Sequence, residues 1–193
     1  MRIFGLLCLF VAFALPVTWF WPFADKHQFG AVLSQYFGYC ALIAMSVAQM
    51  LSTRMVGLET IFGGMDQIYR LHKWLGIGAL SLVLLHDTID ADMDELGGKG
   101  AFVDIADTLG EISLYGLLIL AVITIATFIP YHLWKFTHKF MGFFFALATL
   151  HFLLIIKPFE NADPVGLYVS TFCVVGIVSY LYTLWPKERW HSG

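Results

Sequence analysis

The chain has 193 residues, a net charge of −3, and 59% hydrophobic against only 13% charged residues, about half the roughly 25% charged that soluble domains carry. At about 150 residues per domain the length suggests one domain. So much apolar surface cannot be hidden inside a soluble globule of this size, and the composition excludes a disordered, collagen-like, coiled-coil or nucleic-acid-binding chain.

Six apolar runs approach the roughly 20 residues a membrane-spanning helix needs: Ile3–Trp21, Gly30–Leu51, Leu71–Ile89, Leu109–Ile129, Trp134–Ile156 and Val165–Trp185. Turn chemistry separates them, at Trp21-Pro22, Gly97-Gly98-Lys99-Gly100, Ile129-Pro130, Lys157-Pro158 and Asp163-Pro164. The first run, headed by Arg2, exceeds the 7–15 residues of a signal-peptide core and no Ala-x-Ala site follows, so it reads as a span. Cys8, Cys40 and Cys173 fall inside apolar runs without C-x-x-C spacing and read as small apolar residues.

With the N-terminus in the cytoplasm, the inner side collects Arg2, Arg54, Arg70, Lys73, Lys135, Lys139, Lys187 and Arg189. The outer side collects only Lys26, Lys99 and Lys157. The positive-inside rule therefore places both termini in the cytoplasm. Most acids collect outside, chiefly Asp87, Asp90, Asp92, Asp94, Glu95, Asp104 and Asp107. Trp19, Trp21, Trp74, Trp134, Tyr182 and Trp185 near the span ends suit interfacial anchoring. The inner connection from Ser52 to Arg70 is partly apolar, and reads either as a short interfacial helix or as a docking surface for a cytosolic partner.

Of seven histidines, His27, His132 and His191 fall in connections or the tail. The other four lie in spans with few other ionisable groups, His72 and His86 on the third, His138 and His151 on the fifth. Such residues mark sites facing the bundle interior. At 1.5 Å per residue the two steps cover about 21 and 20 Å. Because the two spans run in the same direction, His72 pairs in depth with His138, and His86 with His151. Two imidazoles on opposite sides of one metal suit a haem iron, whereas zinc wants three or four protein ligands and neither level offers a carboxylate or thiolate. A 14-residue step keeps His72 and His86 on one face; the 13-residue step leaves His151 rotated by roughly 140° from His138 on an ideal helix, so local overwinding or a rotated outer haem must absorb it.

His72-Lys-Trp-Leu-Gly76 and His138-Lys-Phe-Met-Gly142 share one pattern, with glycine one turn beyond the histidine. Gly76 and Gly142 either admit a flat macrocycle or serve ordinary small-residue helix packing. Arg70, Lys73 and Lys139 are placed to neutralise haem propionates at the inner level, or act only as topology charges; Lys157 is the nearest outer candidate.

These residues resemble the ferric reductase transmembrane domain, the six-helix cytochrome b core shared by ferric-chelate reductases, NADPH oxidases and methionine sulfoxide reductase haem subunits. The stretches Gly63-Gly-Met-Asp-Gln-Ile-Tyr-Arg-Leu-His72-Lys-Trp-Leu-Gly and Tyr131-His-Leu-Trp-Lys-Phe-Thr-His138-Lys-Phe-Met-Gly are especially similar to bacterial flavocytochrome b members. The resemblance covers nearly all of residues 1–193. It implies an all-α, six-helix bundle in the cell's inner (plasma) membrane with two stacked b haems between the third and fifth spans. His72 and His138 would hold the inner iron, His86 and His151 the outer. It further implies a membrane oxidoreductase, or the haem part of one, supplied by NAD(P)H and FAD on a cytosolic reductase domain or subunit, and an outer-face acceptor such as a ferric chelate, oxygen, a quinone or a partner protein.

Phe144 and Phe145 sit at mid-depth on the fifth span, between the haems or in the core. No Gly-rich dinucleotide fingerprint is present, so the flavin is expected on a further part of a longer protein or on a separate reductase. The oxidases' outer-facing arginine has no counterpart in Gly30–Leu51, which points away from superoxide production. The alternative of another class is a six-span transporter or proton channel using the histidines as a relay, which would want intramembrane Asp or Glu that the spans lack away from their outer ends.

Overall fold

The computed structural model describes residues 2–24, 29–89, 101–126 and 128–185. The charges Lys26, Asp90, Asp92, Asp94, Glu95, Lys99, Lys187 and Arg189, and the histidines His27 and His191, lie outside the described residues. In chain order the helices are α1 (Ile3–Ala24), α2 (Phe29–Ser52), α3 (Leu58–Phe62), α4 (Met65–Thr88), α5 (Ala101–Ile125), α6 (Tyr131–His138), α7 (Met141–Leu154) and α8 (Pro164–Leu184). Six stretches are long and apolar enough to cross a membrane: Ile3–Pro22, Phe29–Ser52, Met65–Thr88, Phe102–Ile125, Tyr131–Leu154 and Pro164–Leu184. The third starts earlier than the hydropathy suggests, because Met65–Arg70 continues the helix through a polar turn that includes an exposed Asp66–Arg70 ion pair at 3.4 Å.

Helix α2 is the hub. Small residues along it, among them Ala31, Ser34, Ala41, Ala44, Ser46 and Ala48, are buried and let α1, α4 and α8 approach its backbone. One cluster joins α2 to α3 and α4 through Val47, Leu51, Phe62, Leu71 and Leu75. A second joins α2 to α7 and α8 through Tyr39, Leu42, Phe145, Phe152, Val169 and Cys173. Helix α5 packs chiefly on α7, while α4 and α7 make no extensive contact with each other. They stand apart with α2 behind them.

Two further details fix the frame. Pro16 interrupts α1, which frees the carbonyl four residues back. The Tyr168 hydroxyl from α8 donates to that Ala12 carbonyl at 3.2 Å, and Tyr36 of α2 donates to Phe13 at 2.8 Å. No water is present in hydrocarbon to satisfy the freed Ala12 carbonyl, so the Tyr168 phenol takes its place. At the other end of α1, the Arg2 guanidinium donates to the Thr60 carbonyl beside α3 at 2.7 Å. The Ser52–Arg70 connection thus folds back on α1, with Leu58 and Phe62 turned into the bundle and Met55 and Val56 exposed at its tip. Trp21, Trp74 and Trp185 are exposed near the span ends, but Trp19 turns inward and meets Tyr168 edge-on at 5.4 Å.

Candidate functional site

The fifth span is not one continuous helix. Between α6 and α7, the Lys139 amide donates to the Phe136 carbonyl (3.3 Å) and the Phe140 amide to Thr137 (2.9 Å), both three residues back. Their ψ angles of −26° and −11° agree with that tighter winding. A 3₁₀ turn advances about 20° more per residue than an α-helix. The overwinding lies between His138 and His151, and works in the direction that the 13-residue step requires.

The rings meet accordingly. His72 and His138 have ring centroids 6.2 Å apart, and His86 and His151 are 6.4 Å apart, with interplanar angles of 62° and 66°. Metal–imidazole bonds of about 2.0–2.1 Å, plus about 1.1 Å from nitrogen to ring centre on each side, put two opposed imidazoles roughly 6.3 Å apart. The ring separations therefore leave room for one metal ion between the two imidazoles at each level. Among the described residues no group of three or more His, Cys, Asp or Glu gathers into a metal site, so each pair stands without the further protein ligands zinc requires.

Neighbouring helices orient the rings. His72 Nδ1 meets the Ala48 carbonyl of α2 at 3.0 Å, His86 Nδ1 the Ser34 carbonyl of α2 at 2.9 Å, and His151 Nδ1 the Ala106 carbonyl of α5 at 2.8 Å. A carbonyl only accepts, so each of these Nδ1 atoms carries the proton and Nε2 is the nitrogen left to ligate. Ser34 reinforces its histidine by donating its hydroxyl to the His86 carbonyl at 2.8 Å. His138 differs: its Nδ1 lies 3.4 Å from the Thr124 hydroxyl.

Two glycines absent from the sequence-based site allow this approach. A Cβ on Gly38 of α2 would sit 3.2 Å from His86 Nδ1, and one on Gly110 of α5 would sit 2.7 Å from His151 Nδ1. Their signal in the sequence was glycine on the flanking helices rather than beside the histidines. Of the two glycines that follow the motif histidines, Gly76 has open space where its Cβ would be, whereas Gly142 makes room for the Tyr180 ring of α8. Phe144 lies over Gly116 of α5, and Phe145 over Gly176 of α8; both pack between helices.

A cavity of 440 Å³ opens between α2, α4, α5 and α7 at the His86–His151 level, bounded by both histidines and by Gln35, Gly38, Tyr39 and Gly110, within the 300–1,000 Å³ typical of cofactor sites. Asp87, Asp107 and Glu111 also line it, so this level does offer carboxylates that the sequence reading did not place there. Among the described residues none of them gathers with the histidines into a metal site, and no lysine or arginine lines the cavity. Lys157 is occupied elsewhere. Its ammonium donates to the Phe152 carbonyl at 2.7 Å and lies over the Phe152 ring at 4.8 Å. Burial pushes it down to about 8. At the other level Arg70 pairs with Asp66, while Lys73 and Lys139 are exposed.

No curated protein matches this chain. The family model for the ferric reductase like transmembrane component matches residues 37–149, which include His72, His86 and His138 and stop two residues before His151. More than half of the chain lies within that match, and the chain belongs to the ferric reductase-like transmembrane component family.

Proposed function

We propose that this chain passes single electrons across the membrane through two b haems, one held by His72 and His138, the other by His86 and His151. The donor is a cytosolic flavin fed by NAD(P)H, on a reductase domain or subunit. The coarser statement follows from family membership: a membrane oxidoreductase component that transfers electrons across the bilayer. What carries the finer reading is the pair of imidazole separations, 6.2 and 6.4 Å, at two levels of the same two spans.

Bound haem would supply reversible one-electron exchange at an iron between two imidazoles. The chain supplies position and surroundings. Carbonyls of α2 and α5 hold the Nδ1 protons of three histidines, which fixes ring rotation and keeps Nε2 basic. Leu42, Val83, Leu114 and Leu117 give the His86–His151 cavity apolar walls that limit water. Both termini in the cytoplasm place the His72–His138 level on the donor side, where Arg70, Lys73 and Lys139 offer positive charge to cofactor carboxylates. On the far side Asp87, Asp107 and Glu111 make the mouth negative, which favours neutral or cationic acceptors over anionic chelates at low salt.

The test is an absorption spectrum of purified protein before and after dithionite. Low-spin b-type bands at two haems per chain are expected; a colourless protein overturns the reading and returns the histidines to a relay or packing role.

A further inference from the structure

His138 stands on the weakest footing of the four histidines. It ends α6, an eight-residue helix with no buried residue, which packs on α5 alone to any extent. The other three rings are tethered by carbonyls at 2.8–3.0 Å. The Thr124 hydroxyl, 3.4 Å from His138 Nδ1, already donates its own proton to the Leu120 carbonyl at 2.8 Å, so it offers His138 only a long acceptor. Something else must hold this ring, since an imidazole free to rotate about its Cβ–Cγ bond loses the orientation that axial coordination needs.

That support is aromatic. Trp134 lies one helical turn before His138, on the same face, and its ring stacks on the imidazole with centroids 5.1 Å apart and planes inclined by 24°. Tyr131 stacks on Trp134 in turn, at 5.5 Å and 29°. These two near-parallel contacts build a three-ring column along α6, and neither His72, His86 nor His151 has an aromatic stacked on it among the described residues. A flat indole on one face of an imidazole restrains its tilt without drawing on its Nδ1 proton.

We infer that Trp134 is a positioning residue for the His72–His138 haem, holding His138 by stacking where the other ligands are held by helix carbonyls, with Thr124 as its weak polar partner. This rests on the dihaem reading above. Without a carbonyl drawing on Nδ1–H, His138 is also the least electron-rich of the four ligands.

The test compares wild type, Trp134→Leu, Trp134→Phe and Thr124→Val as purified membrane proteins, by haem content, low-temperature EPR of the ferric form and redox titration. Trp134→Leu is expected to shift the low-spin EPR signal of one haem and to weaken its retention about tenfold, leaving the second signal in place. Trp134→Phe, which keeps a stacking ring, is expected to restore most of both. Thr124→Val is expected to raise the midpoint potential of that same haem. Unchanged signal and retention in Trp134→Leu overturn the inference. So does loss of both haems in Trp134→Leu and Trp134→Phe alike, which would make Trp134 a support of the whole fold. A wild-type protein without haem refutes the dihaem reading first, before any variant is compared.

Discussion

The two histidine levels each bring one pair of imidazoles together but support them differently. At the His86–His151 level both rings are bound to backbone carbonyls at 2.8–2.9 Å, glycines on the flanking helices let them close in, and the cavity mouth carries carboxylates. At the His72–His138 level one ring has a carbonyl, the other a stacked indole and a distant hydroxyl, and the nearby charges are basic. Ligand identity alone therefore does not define such a site. A backbone acceptor raises imidazole basicity and a stacked ring does not, so on the dihaem proposal the two levels would differ in electron affinity, with the level of the two carbonyl-bound rings expected to hold its electron less tightly.

The comparison breaks most sharply at the ligands themselves. His86→Ala or His151→Ala is expected to lower the haem-to-protein ratio from two to one while sparing the His72–His138 level; loss of both haems in either variant would show that the levels are not separate. His72→Ala or His138→Ala should abolish haem reduction from the cytosolic side, as followed by stopped-flow absorbance with a reduced flavin. A smaller effect is expected at Gly110. Its Cβ would lie 2.7 Å from His151 Nδ1, so Gly110→Ala should push the ring off the Ala106 carbonyl and weaken haem retention at that level about 10-fold or more. Gly38→Ala, whose Cβ would sit 3.2 Å from His86 Nδ1, a milder crowding, should do less, and equal losses would show that the glycines do not act through the rings.

Ser34→Ala should cost about 1 kcal/mol, the net worth of one hydrogen bond, read as a lowered thermal midpoint in detergent with the haem count unchanged. The smallest effect concerns Lys157. Its folded pKa, about 8, lies below the ordinary 10.5, so between those values the unfolded chain binds more protons and the folded state gains stability as pH rises. Thermal midpoints at pH 7.5 and 9.5 should differ by slightly more in the wild type than in Lys157→Met, and identical differences would show that Lys157 is not the group responsible.

Hydropathy and the 1.5 Å rise were enough to place six spans and to set four histidines at two depths, because both depend only on residue type and spacing. What supports the rings was hidden for a physical reason. Ala48, Ser34 and Ala106 act through backbone carbonyls, and every residue has one. The Lys139–Phe140 overwinding is one of the two ways the 13-residue step could be absorbed, yet nothing in Thr-His-Lys-Phe-Met marks where it falls. Trp134 looked like an interfacial anchor because its distance from a span end is visible in the sequence and its stacking partner is not. The matched glycines after His72 and His138 suggested equivalence, but their surroundings differ because only the fifth span packs Tyr180 behind it.

The committed Nδ1 protons carry one more consequence. With one nitrogen donating to a helix carbonyl, and the other engaged if the proposed haems are bound, His72, His86 and His151 would have no free site on which to pick up or release a proton. Electrons leaving the cell along the proposed route would then not be accompanied by protons on these rings, and turnover would be electrogenic. A resting voltage, negative inside, would favour each outward crossing by up to about 2.3 kcal/mol per 100 mV, so that depolarisation alone would slow the protein with no change in its substrates.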